Sequence, residues 1–154
     1  DRSPSRGLGD VYKRQFMAIE SFLMNESFVV IDPTLQANLE PNRDSLYQEI
    51  DQNYQGFRSC ELMAIHDFDD DWSTWECHPC GDEVLVLLAG EISLQLRFTD
   101  GDQQITLSTI GQSVIVPKGI WHTAQIKVAA KVLFLTPGEK TQNRESPKVG
   151  ILNP

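Results

Sequence analysis

Ile92-Ser93-Leu94-Gln95-Leu96-Arg97-Phe98 alternates apolar and polar side chains without a break. It runs into Thr99-Asp100-Gly101-Asp102 and returns through Gln104-Ile105-Thr106-Leu107-Ser108. Alternation with a period of two is the mark of a strand with one face buried. Asp-Gly supplies the positive φ that a tight hairpin needs, so two paired strands are expected here. Working outward, runs of the same kind are expected at residues 57–66, 72–78, 83–88, 113–116, 121–128 and 131–135, separated by Gly, Pro and Asp-rich breaks. Short strands at regular spacing predict an all-β sandwich or barrel. One amphipathic helix is expected near residues 44–54, with Leu46, Tyr47 and Ile50 on one face behind a Ser45 cap, lying outside the barrel over an open end or edge.

The chain has 154 residues, enough for one core and too few for two. Four segments are expected: a leader at 1–15, an N-terminal segment with the short helix at 16–56, the barrel at 57–137 and a loosely held tail at 138–154. In the leader, Asp10-Val11-Tyr12-Lys13-Arg14-Gln15 resembles a translated transposon adapter from sequencing-library preparation. It is set aside from fold reasoning, which puts the native start at Met17 or Met24.

The formal net charge is −9, and without the four basic and two acidic residues of the leader it is −11. An acidic surface repels phosphate backbones, and no Lys/Arg cluster with interleaved aromatics occurs, so nucleic acid is not an expected partner. The longest apolar run, Val84 to Ala89, is far too short to span a bilayer, so no membrane partner is expected either. Cys60, Cys77 and Cys80 are few and odd in number, which points to a reducing, cytoplasmic setting rather than a disulfide framework. A small molecule and a second copy of the chain are the expected partners.

Side chains two apart on a strand share a face, so Glu76 and His78 point one way while Trp75 and Cys77 point the other. Pro79-Cys80-Gly81-Asp82 turns the chain, and Glu83 opens the next strand on the face of Leu85 and Leu87. About forty residues on, Pro117-Lys118-Gly119-Ile120 forms a turn before Trp121 and His122. His122 begins a strand beside Ala124, Ile126 and Val128. Taken alone, a histidine on such a face is more often a core residue than a ligand.

Gly111-x5-Pro117-x-Gly119-x2-His122 resembles the second motif of the cupin superfamily, and Glu76-x-His78-x4-Glu83-x6-Gly90 resembles the first. The resemblance covers residues 57–137, and Trp75-Glu76-x-His78-Pro79-x-Gly81-Asp82-Glu83 is most like stand-alone single-barrel bacterial cupins. It implies a jelly-roll barrel whose two motifs lie on facing strands and supply histidines and a glutamate to one divalent metal. Three positions depart from the pattern: Glu76 stands at the usual first histidine, Asp70 at the leading glycine and Ile126 at the closing asparagine.

Two imidazoles and two carboxylates from Glu76, His78, Glu83 and His122 suit Fe(II), Mn(II), Zn(II) or Ni(II). The expected function is a metal-dependent enzyme on a small molecule, the ion acting as Lewis acid or dioxygen activator. The alternative is a non-catalytic barrel that binds or senses a small ligand. An enzyme should present polar or ionisable groups beside the ligands, whereas Leu85, Leu87, Ala124 and Ile126 are apolar. Strand-end surface carboxylates and no metal is the plainer reading of Glu76 and Glu83.

Cys77-His78-Pro79-Cys80 runs into a strand rather than a helix and has no second Cys/His pair, against redox and zinc-knuckle roles. Cys77 is expected to face outward, half-buried. His66, beside the acidic run from Asp67 to Asp71, is expected in a solvated loop, and Trp72, Trp75 and Trp121 in packing or dimer contacts.

Overall fold

The computed structural model describes residues 18–145. Nine strands and one helix follow in order: β1 Ser27–Ile31, β2 Ala37–Pro41, α1 Leu46–Asn53, β3 Glu61–Phe68, β4 Thr74–Cys77, β5 Glu83–Phe98, β6 Gly101–Leu107, β7 Ser113–Val116, β8 Trp121–Thr136 and β9 Gln142–Glu145. The leader expected at 1–15 and Met17 lie outside the described residues. No helix among the described residues is long and apolar enough to cross a membrane.

Every pairing is antiparallel, and β5 and β8 are long enough to serve two sheets. The first half of β5 and the second half of β8 join β2, β1, β3 and β7. Their other halves join β9, β4 and β6. The crossover needs a break in register, which falls between Leu87 and Ile92. Gly90 sits there at φ 75°, and a Cβ on it would stand 2.0 Å from the Ala129 carbonyl oxygen. Only glycine permits both that conformation and that approach. The runs expected as separate strands at 83–88 and 92–98 are therefore one bulged strand.

Between the sheets, alternate residues of β5 and β8 interdigitate: Leu85, Leu87, Ile92, Leu94 and Leu96 against Ala124, Ala130, Val132 and Phe134. Together with Leu107 and Val116 they form one core, while Ser93, on the outward parity, bonds to Thr106 at 2.8 Å. A second cluster seats the helix, with Leu46 and Ile50 against Phe28, Val30, Phe57, Leu62 and Ala64. The helix thus packs against β1 and β3, and its residues Tyr47, Gln48, Ile50 and Asp51 line the cavity described below.

Four local expectations are corrected. The strand expected from residue 57 begins at Glu61, because Gln55, Phe57 and Ser59 all have φ between 54° and 57° and make a turn that drops Phe57 into the helix cluster. Ser45 precedes the helix without capping it, since its hydroxyl donates to the Glu49 carboxylate instead. Tyr47 does not share the buried face of Leu46 and Ile50 but is 56% exposed. Residues 142–145, expected within a loose tail, pair with β4 from Thr74 to Cys77.

Candidate metal centre

The first motif ends β4 and opens β5; the second opens β8. Glu76 and His122 are cross-strand partners, and the turn between the motifs is tied at two points. The Gly119 N–H donates to the His78 carbonyl at 3.0 Å, and the Lys118 N–H donates to the Asp82 carboxylate at 2.7 Å. Gly119 takes φ 78° to make that turn. Backbone and turn chemistry thus bring two segments some forty residues apart into one plane of the barrel.

All four expected residues converge. One donor atom each from Glu76, His78 and His122 lies within 4.8 Å of the others. Glu83 stands against both rings, with Oε1 3.1 Å from His122 Nε2 and Oε2 3.1 Å from His78 Nε2, while Glu76 Oε2 is 3.8 Å from His78 Nε2. His78, Glu83 and His122 are buried; Glu76 is open on the cavity side.

Second contacts fix which ring nitrogen carries the proton. His122 Nδ1 faces the Ile120 carbonyl at 3.0 Å, an acceptor only, so Nδ1 donates. His78 Nδ1 lies 2.9 Å from Thr141 Oγ1, whose own proton goes to the Gly138 carbonyl at 2.9 Å, so here too Nδ1 donates. In the neutral rings both Nε2 lone pairs then face carboxylate oxygens. His78 Nε2 is buried without a well-aligned hydrogen bond. Lone pairs opposed to carboxylates across 3.1 Å repel unless a cation, proton or metal, stands between them. The donor set and its tautomers fit a divalent ion, by the outer-contact pattern usual for metal-ligating histidines.

The electrostatics point the same way. Burial alone would raise the Glu83 carboxyl, but in the metal-free protein, with the rings protonated at Nε2 as well, the hydrogen bonds and charge of His122 and His78 outweigh it and hold Glu83 at about 2. Thr136 adds a 2.6 Å hydrogen bond to its Oε2. Burial would lower His122, yet the bond to Glu83 and its charge raise it. Glu76 goes up, first through burial and then through the nearby charge of Glu83.

The site opens into a cavity of about 890 Å³ between the barrel mouth and the helix. Phe68, Trp72 and Phe134 form one wall, with Trp72 also 6.2 Å from the His122 ring. His66 belongs to β3, not to a solvated loop. Its ring packs on Phe134 at 5.6 Å and Phe28 at 5.3 Å, its Nε2 is 3.3 Å from the Tyr47 hydroxyl, and burial lowers its pKa. Ala64, His66 and Phe68 keep one parity with Leu62, which is the signal that places His66 inward; the acidic run beside it masked that signal. The polar neighbours that Leu85, Leu87, Ala124 and Ile126 do not supply come instead from other elements: Tyr47 on the helix, His66 on β3, Thr136 on β8 and Thr141 before β9.

On the outward face, Cys77 is buried rather than half-buried, and Trp75 beside it is buried too. Arg97 covers the Trp75 ring at 4.1 Å, and Arg144 covers Trp121 at 4.2 Å.

No protein-family model matches the chain, and no curated protein sequence does. Among solved structures, it is similar to a hydroxypropylphosphonic acid epoxidase from S. wedmorenis, 21% identical, with a TM-score of 0.41 over 49% of this chain and 43% of that one. It is similar to a protein from Neisseria meningitidis, 22% identical, with a TM-score of 0.40 over 49% of this chain and 74% of that one. It is also similar to a cupin-2 domain protein from Shewanella frigidimarina, 26% identical, with a TM-score of 0.39 over 55% of this chain and 71% of that one. The match spans less than half the length of the epoxidase. The fold assignment rests on the chain's own topology: with two antiparallel sheets sharing β5 and β8, and β4 and β8 facing each other at Glu76 and His122, this is an all-β jelly-roll barrel.

Proposed function

We propose that the chain is a metal-dependent cupin acting on a small molecule, with one divalent ion, Fe(II), Mn(II), Zn(II) or Ni(II), held by His78 and His122 together with Glu76 and Glu83. The observation that carries this is the pair of imidazoles whose Nδ1 atoms donate outward to Ile120 and Thr141, leaving both Nε2 atoms turned toward the same carboxylate, that of Glu83. Bound there, the ion would supply Lewis acidity or dioxygen activation.

The chain's own groups divide the remaining work. Glu83 is held ionised by His122, His78 and Thr136, which suits a permanent ligand. Glu76 is open to the cavity and has a raised pKa, which suits a carboxylate that exchanges a proton with a bound molecule. Tyr47 and His66 add a neutral hydrogen-bonding pair to the cavity lining. Ionisable groups besides the ligands favour the catalytic reading over the rival one, a barrel that only binds or senses a ligand. The same proposal includes a homodimer, which light scattering in solution reads, and a reducing, cytoplasmic setting, with which the free thiols of Cys60, Cys77 and Cys80 are compatible.

Elemental mass spectrometry of protein purified without affinity-tag metal tests the proposal, on wild type and His122→Ala, with circular dichroism as the folding control. About one metal per chain in the wild type and little in the folded variant is the expected result. Equal and negligible metal in both would leave the ligand-binding barrel as the better account.

A further inference from the structure

We propose that the cavity selects a ligand with a flat apolar body and no negative charge, and that it discriminates against phosphonates and polycarboxylates. The inference rests on the cavity being the small-molecule site proposed above.

Size and shape come first. About 890 Å³ is the room of a small-molecule site. Its wall is a continuous aromatic surface: Phe68 and Trp72 have ring centroids 5.5 Å apart, Phe68 and Phe134 5.9 Å, and Trp72 and Phe134 6.0 Å. Such a surface takes up a planar apolar group by area, and ring faces also attract a cation.

Charge then decides among flat ligands. Beyond Glu76 and Glu83, the cavity is lined by Asp51, Asp70 and Asp71, and among the described residues its one lining lysine or arginine is Lys140. A divalent ion and Lys140 together do not balance these carboxylates. No arginine is present in the lining to grip a phosphonate or carboxylate with two parallel hydrogen bonds, the geometry that such groups favour. His66 and Tyr47 offer hydrogen bonds without adding charge, because burial favours the neutral imidazole and a phenol is uncharged near neutral pH. An anionic ligand entering this mouth meets a lining in which carboxylates outnumber the single lysine.

The test uses three probes that share one ring: benzyl alcohol, benzylamine and benzylphosphonate. Their binding is read by ligand-observed NMR near neutral pH, on metal-free and zinc-loaded protein. Benzyl alcohol and benzylamine are expected to bind the metal-free protein at least about tenfold more tightly than benzylphosphonate. Phe68→Leu should weaken both by several-fold. Asp51→Asn combined with Asp70→Asn should narrow the gap to benzylphosphonate by about threefold or more. Benzylphosphonate binding metal-free protein as tightly as benzyl alcohol, or none of the three binding at all, overturns the inference. Because the metal-free arm needs no ion, a failure to load zinc removes the metal centre alone and leaves the selectivity measured.

Discussion

His78 Nδ1 donates to Thr141 Oγ1 across 2.9 Å, joining the first motif to a residue 63 positions away, just before β9. That single contact sets the tautomer of His78, and through it the direction of the Nε2 lone pair. Thr141→Val removes the acceptor at nearly constant volume and should weaken zinc binding by about ten- to a hundredfold, whereas Thr141→Ser should stay near wild type. Competition against a chelator of known affinity reads this directly. Unchanged affinity in the valine variant would show that Thr141 does not set the tautomer.

Glu83 predicts the acid limb of stability in the metal-free protein. Its folded value is about 2, while an unfolded glutamate titrates near 4.3. The folded state therefore binds its proton later than the unfolded one, so this contribution is fully present above about pH 4.3 and is lost as pH falls toward 2. The size is on the order of 3 kcal/mol. His122 works with the opposite sign: its folded value is raised, so its contribution is complete below about pH 6.5 and is lost as pH climbs through the folded value. Chemical denaturation from pH 2.5 to 8 should show a maximum between these limbs. In Glu83→Gln the acid limb should flatten; an acid limb as steep as wild type would place the titration elsewhere.

Much of the barrel is legible in the sequence because strand parity is local. Glu76 with His78, Leu85 with Leu87, and His122 with Ala124 all point inward as alternation requires. What escaped depended on long-range pairing. β1 and β2 form a hairpin of two five-residue strands that joins the barrel only through the pairing of β1 with the much later β3, and β2 ends on a proline. β9 is polar throughout and has no periodicity to read, yet it completes the edge beside Glu76. Thr141 was equally silent, since its role exists only once His78 is folded against it.

Gly90 is the most demanding position of the first motif. An alanine there would combine φ 75° with a Cβ 2.0 Å from the Ala129 carbonyl oxygen, and the obstacle is backbone rather than a side chain that can swing away. Gly90→Ala should destabilise the fold by about 3 kcal/mol or more. Gly101→Ala is the control, because its φ of 134° is at least as unfavourable for alanine but nothing lies within 4 Å of the added carbon. Urea midpoints that are the same for the two variants would mean that the strand crossover does not depend on close approach at residue 90.

The arginine over each outward tryptophan changes what those rings can do. Trp121 opens β8 one residue before His122, and Arg144 of β9 lies over its face at 4.2 Å. The contact ties β9 to β8 across β4, and among the described residues the only strand paired with β9 is β4. Arg144 is exposed, so Arg144→Ala should cost no more than about 1 kcal/mol globally. The local effect should be larger: hydrogen exchange should accelerate at Asn143 and Glu145 while the amides of β5 stay protected. Because Thr141 directly precedes β9, zinc affinity should drop along with that protection. Faster exchange in β9 with no change in zinc affinity would mean that the loop holding Thr141 keeps its place without the strand that follows it.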